Sequence, residues 1–174
     1  LLGGSGQGTE QRSLVLYPLS AAPNAEKQMR EITSRPEENV YQARYSPDSR
    51  WISFCSAKAV EAGISTIYVM PAEGGEWKKI TEGKFFDDKP HWSPDGKTLY
   101  FISNRTGFFN VWGIRFNSAE GIPEGEPFRV TNFENPAQMI LSDPRTLELS
   151  LTNNQLIFPM MEVTGDIWII EDNR

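Results

Sequence analysis

A chain of 174 residues with 39% apolar content, five Trp and ten Phe has the size and the side chains for one well-buried domain or part of a larger one, which excludes intrinsic disorder. Seventeen basic against 23 acidic residues give a net charge of −6 with no Lys/Arg block, so the counterion release that drives nucleic-acid binding has nothing to act on. One Cys and one His exclude an internal disulfide and a zinc ligand set, and no apolar run reaches the roughly 18 residues of a membrane-spanning helix, so no direct membrane insertion is expected.

In chain order, LLGGSG comes first, without Met and without a charged lead into a hydrophobic segment; it carries no export signal of its own and reads as a cut through something longer. GGSGQG at 3–8 lacks the Lys-Ser/Thr of a phosphate cradle and no helix follows, so a strand and a hairpin turn are expected. SLVLY, closing at Tyr17, and REIT at 30–33 are short strands; the one amphipathic helix candidate, Ala25–Ile32, is accounted for by the second of them. An ordered series then begins: an opening strand, the corner SPDS at 46–49, the β-rich WISFCSA, a polar loop, STIY closing at Tyr68, the Gly74–Gly75 reversal, and KKIT ending at Thr81. The same series returns with strands over Lys89–Trp92, Thr98–Ser103, Asn110–Phe116 and Phe128–Thr131, the corner SPDG at 93–96, an aromatic close at Trp112 and a glycine at Gly125. After Glu134 the chain offers LELSLT, QLIFPMM and DIWIIE, with LTNNQ in place of SPDG and Trp168 as the closing aromatic.

These echoes have a fixed period. Ser46 and Ser93 stand 47 residues apart, and Thr33, Thr81 and Thr131 are spaced by 48 and 50. Four short antiparallel strands repeated every 40 to 50 residues define β-propeller blades. The expected fold is therefore all-β, a partial ring of about 3.5 blades: 1–38 the end of a blade, 39–83 and 84–133 complete blades, and 134–174 a partial final blade. The strand missing from the last blade would come from upstream of Leu1 or from another chain, as in a homodimer or a pairing with the missing half of the ring.

The corner motif also contains the ingredients of a nucleophile, Ser93 with Asp95 and His91. His91, however, lies two residues upstream on the adjoining strand, and the first copy has Arg44 in its place. A turn capped by Ser46 or Ser93 and by Asp48 or Asp95 accounts for the same residues, and no catalytic, cofactor or metal residue is assigned. Ser49 standing where the second copy has Gly96 suggests a type I corner with no left-handed requirement. Asp87 and Asp88, adjacent on an extended segment and outside any D-x-D-x-D-G loop, read as a solvated acidic loop.

YSPDSRWISFCS…STIYVMPAEGGEWKKIT and HWSPDGKTLYFISNRTGFFNVWGIRF…GEPFRVT resemble the TolB-type, WD-repeat-like bacterial β-propeller repeat, here the carboxyl-terminal half of a ring. The resemblance covers both complete units and implies a periplasmic or otherwise extracytoplasmic placement. Repeats of this type also occur beside kinases and as gates of serine peptidases, but G-x-S-x-G, H-R-D and P-loop signatures are absent. The expected function is a non-catalytic module for protein–protein interaction or ligand sensing, with a protein partner. The alternatives are a propeller gating or accompanying a peptidase or kinase and a self-associating structural half-ring. The expected binding rim joins GKFFDDK to NRTGFF and carries Phe85, Phe86, Asp87, Asp88, Lys89, Arg105 and Phe108: apolar anchors with charged neighbours.

Overall fold

A computed structural model describes residues 12–19, 29–33, 35–58, 63–140, 148–162 and 164–165. All elements among them are strands. A hairpin of β1 (Leu14–Leu16) and β2 (Arg30–Thr33) precedes a four-stranded sheet of β3 (Glu38–Tyr45), β4 (Trp51–Lys58), β5 (Thr66–Pro71) and β6 (Lys78–Lys79). A second such sheet follows, of β7 (Asp87–Trp92), β8 (Thr98–Ser103), β9 (Asn110–Asn117) and β10 (Ile122–Arg129). In each, neighbours in sequence pair antiparallel, as in a propeller blade.

Both faces of the complete sheets are buried, because alternate residues serve alternate neighbours. On β4, Ile52 and Phe54 join Val40, Met70 and Trp77 in a core shared with Leu14 and Ile32. Cys55, with Ile67, Val69 and Ile80, faces the other way onto Trp92, Leu99, Phe101 and Phe116 of the next sheet. A third core joins Ile102 and Val111 to Ile140 and Leu149. Each large apolar side chain so buried contributes about 1.5–3 kcal/mol, and the contacts run between sheets, so a blade is stable through its neighbours.

The two corners share their serine hydroxyl bonds. Ser46 Oγ donates to Asp48 Oδ1 and Ser93 Oγ to Asp95 Oδ1, both at 2.6 Å. The Trp51 and Thr98 amides donate back to the serine hydroxyls at 3.0 and 2.9 Å. One expectation is corrected here: the fourth corner position is left-handed in both copies, with φ of 59° at Ser49 and 70° at Gly96. Serine tolerates the strain; it does not signal its absence.

The Thr repeat closes each outer strand on its neighbour, the hydroxyls of Thr81 and Thr131 accepting from the Ile67 and Val111 amides at 3.1 and 2.9 Å. Its register corrects the aromatic echo at the start of the chain: Tyr68 pairs with Lys79 two residues before Thr81, and Val15, not Tyr17, pairs with Glu31 two residues before Thr33. The last unit differs as well. Past the Pro136 turn, Gln138–Ile140 forms β11. LELSLT contributes only β12 (Ser150–Leu151), which pairs with β13 (Leu156–Ile157), while β11 pairs with β14 (Met160–Glu162). LTNNQ reverses the chain in a tighter turn, the Thr152 amide donating to Gln155 O at 2.9 Å where the corner serine amides donate to carbonyls five residues on. LLGGSG and DIWIIE lie outside the described residues.

Candidate functional site

The expected rim falls at the end of the second complete sheet where β8 leaves and β7 enters. Its geometry begins with a bulge: β7 shifts register between Asp88 and His91, as β3 does between Tyr41 and Arg44, and the extra residues Lys89 and Gln42 take φ of 56° and 55°. The two bulges are tied together, the Lys89 amide donating to Gln42 Oε1 at 2.9 Å.

Asp87 and Asp88 are fully buried, so the solvated acidic loop is corrected: the segment is a strand inside the molecule. Counting six residues back from each corner serine places Asp87 where the first copy has Val40, a core position. Asp87 Oδ1 accepts from Arg105 at 3.1 Å. The Arg105 side chain, 8% exposed, also reaches Glu82 at 3.4 Å and lies over the rings of Phe85, Phe101 and Trp112 at 5.3, 5.2 and 5.0 Å. Asp88 turns toward the preceding sheet. Its Oδ1 accepts from the Cys55 thiol at 3.3 Å and the Lys89 amide at 2.8 Å, and among the described residues its Oδ2, like Asp87 Oδ2, has no partner. Burial pushes both carboxyls above the ordinary range; at Asp87 the Ser103 hydroxyl and Arg105 pull the other way, at Asp88 the Lys89 amide and Cys55. Burial, reinforced by the Asp88 charge, also holds the Cys55 thiol well above its usual value, which keeps it an unreactive core group.

The seven expected residues thus divide. Phe85, Asp87 and Arg105 form one knot. Phe86, whose amide donates to Asn104 Oδ1 at 3.0 Å, packs edge-on against Phe109 at 5.7 Å. The Lys89 side chain is buried to 8% exposure and points to Glu148 at 3.9 Å, beside Arg44 at the same distance from that carboxylate. Phe108 is half-buried, as are Phe85 and Phe86. Glu82, Ser103 and Trp112 complete the knot; of these the sequence marked Trp112 only as a closing aromatic, and the repeat register alone pointed to a core there.

The corner serine is committed. Ser93 Oγ spends its proton on Asp95 and accepts from Thr98, while His91 Nδ1 sits 3.2 Å from the Lys89 carbonyl, its basicity lowered by burial. Among the described residues no three acidic, His or Cys groups converge on a metal position.

No protein-family model matches the chain. The architecture defines a class, the β-propeller, and the solved structures give its form. TolB from Acinetobacter baumannii superposes with a TM-score of 0.55 at 21% identity over 89% of this chain, so the fold is that of the TolB-type propeller repeat. By sequence, an uncharacterized protein of Agrobacterium fabrum is 32% identical over 75 residues, and the uncharacterized peptidase YuxL of Bacillus subtilis 38% identical over 63 residues. These matches cover 43% and 36% of this chain. The chain spans 36% of the TolB structure and 25% and 9% of the two curated relatives.

Proposed function

We propose that this β-propeller chain is a non-catalytic interaction module, and that a protein partner docks on the rim formed by 82–86 and 104–108. One observation supports the reading above others. Arg105 and Asp87 are locked beneath the rim, so the half-exposed rings of Phe85, Phe86 and Phe108 and the exposed Lys84 and Thr106 stand on a rigid base. Interface groups that lose little freedom on binding turn more of their contact into affinity. The charged part of the surface is Glu82 and Lys84; Asp87, Asp88, Lys89 and Arg105 serve it from below. A location outside the cytoplasm accords with the TolB-type resemblance.

The test is a photo-crosslinking residue placed at Phe108 or, on the opposite rim, at Lys97, in the full-length protein in its own cells. A discrete protein adduct from position 108, lost on Phe85→Ala, is the expected result. Adducts from position 97 and none from 108 would sink the rim.

A second reading, a propeller accompanying a peptidase, is favoured by the segment shared with YuxL. Peptide hydrolysis by the full-length protein that survives Ser93→Ala supports it; hydrolysis abolished by Ser93→Ala contradicts the non-catalytic assignment. Pairing of two copies as halves of one ring is a third arrangement, read out by light scattering as a doubled mass.

A further inference from the structure

The last unit departs from the two complete ones at a place where the repeat normally fills its own joint. Between the two complete sheets that space holds an indole. Trp92, the residue before the corner Ser93, is 8% exposed, and its Nε1 donates across the joint to Arg44 O at 3.3 Å. It shares a core with Ile80, the residue before Thr81, which is 5% exposed. At the next joint Leu151 stands before Thr152 and Val130 before Thr131. Hydrogen bonds fix the correspondence: the Ile80 and Val130 amides donate to Ile67 O and Val111 O, both at 2.9 Å, and His91 pairs with Tyr100 as Arg44 pairs with Ser53. Leu151 does not replace the indole. Val130 is 39% exposed, and a cavity of about 250 Å³ opens beside it, lined by Tyr100, Leu151 and Leu156 and by the turn 152–155. A large-to-small exchange at a packed position leaves such a space because the surroundings close over it only in part.

The same joint departs from the repeat a second time, and this gives the cavity its polar edge. Where the complete sheets have Ser-Pro-Asp, the turn carries Thr152, Asn153, Asn154 and Gln155. Asn154 is held within the turn, its Oδ1 accepting from Thr152 Oγ1 at 3.4 Å. Asn153 and Gln155 are exposed at the cavity, and each side-chain amide offers two donors and an acceptor. Among the described residues that line it none is charged, so an ionic ligand would meet no counter-charge there. A plain hydrocarbon would displace water from the amides without replacing its hydrogen bonds. A flat ring with apolar faces and a polar N–H edge suits both parts of the lining, and the indole of Trp92 is such a ring at the preceding joint. A volume below the roughly 300 Å³ of the smallest drug-sized sites limits the occupant to one ring system, while a cavity of about 150 Å³ already admits benzene.

We propose that this cavity binds a neutral heteroaromatic ring bearing an N–H group, with the ring on Val130, Leu151 and Leu156 and its polar edge on the amides of Asn153 and Gln155. The inference is independent of the protein-docking rim. It is tested by calorimetric titration of the full-length protein with indole, with 1-methylindole as the same ring without the donor and cyclohexanol as a ring that is not flat. Saturable indole binding at least about fivefold tighter than either control is expected. Leu151→Trp should abolish it at an unchanged or raised melting temperature, because the side chain of the preceding joint then fills the space. The double variant Asn153→Ala/Gln155→Ala should weaken it at least about fivefold, and Lys97→Ala, on the corner of the second sheet, should leave it intact. No saturable indole binding, equal affinity for either control, or an unchanged affinity in a folded Leu151→Trp or Asn153→Ala/Gln155→Ala variant each overturns the proposal.

Discussion

Asp87 and Asp88 are adjacent and equally buried, and burial raises both carboxyls, but Asp87 meets a guanidinium where Asp88 meets a thiol. Asp87 neutralises a guanidinium that is itself 8% exposed, so Asp87→Asn leaves Arg105 with Glu82 alone and should cost about 3–5 kcal/mol in urea denaturation. Arg105→Glu breaks the same knot from the other side and is a stability variant, not a surface probe. Among the described residues no cation meets the free oxygen of Asp88, and burial raises its carboxyl above the value it has when unfolded. Such a group destabilises the fold when charged: stability is full below the unfolded value and is lost as pH rises through the folded one. Asp88→Asn keeps an oxygen for the Cys55 thiol and the Lys89 amide and removes the charge. It should raise the melting temperature at about pH 8, with the gain vanishing by about pH 3, below the ordinary aspartate value. A gain that persists unchanged at the acid end would mean that it does not come from the Asp88 charge.

At the scale of an element, the corner of each blade carries its own test, because two copies of one geometry differ by a side chain. Ser49 and Gly96 share the left-handed position, and the nearest atom to a Cβ on Gly96 is Pro47 Cδ at 3.6 Å, an ordinary contact. Ser49→Gly should therefore gain, and Gly96→Ala lose, about 1 kcal/mol each, with the denaturant slope unchanged. Acid probes the same corner. The Ser46 hydroxyl and the Arg50 side chain hold the Asp48 carboxyl down to about 2, so this contribution is present above the unfolded carboxylate value and is lost as pH falls toward 2. The corners and the Thr strands were legible in the sequence because each is a short local bond pattern that repeats with its residues. The last blade was not: β11 is three residues long behind a Pro-containing turn, and its partner arrives 20 residues later. Tyr17 was matched to Tyr68 by residue type, whereas the Thr register, which follows the hydrogen bonds, picks Val15. The acidic pair misled in the same way. Charge suggested solvent, while the period put Asp87 on Val40 and Asp88 on Tyr41; the partners that make such burial tolerable, Arg105 and Cys55, are 18 and 33 residues distant. The exposed half of the candidate rim, Phe85, Phe86 and Phe108, was visible as a composition, but only the packing of Arg105 shows what it stands on.

Over the whole chain, the sheets are joined by a latch at the corner end. Arg30 on β2 donates to the Glu73 carbonyl at 3.0 Å, and Lys78, the matching residue on β6, donates to the Glu120 carbonyl; each outer strand thus holds a turn of the following sheet. At the second joint Trp51 strengthens the hold, its Nε1 donating to Ser118 O at 2.9 Å while its ring lies against Gly121. A Cβ on Gly121 would stand 2.0 Å from that ring, and its φ is 71°, so Gly121→Ala has to open the joint. The expected loss is about 1–3 kcal/mol from overpacking and about 1 kcal/mol more from the backbone. In an array whose blades are stabilised by their neighbours, weakening a joint should do more than lower the midpoint: it should decouple the units. Gly121→Ala and Trp51→Ala should therefore broaden the denaturation curve, with amides of β8 and β9 exchanging separately from those of β4 and β5. A lowered midpoint with an unchanged slope and a single exchange class would place the coupling elsewhere, in the core of Ile67, Val69, Leu99 and Phe101 that lies beneath the latch.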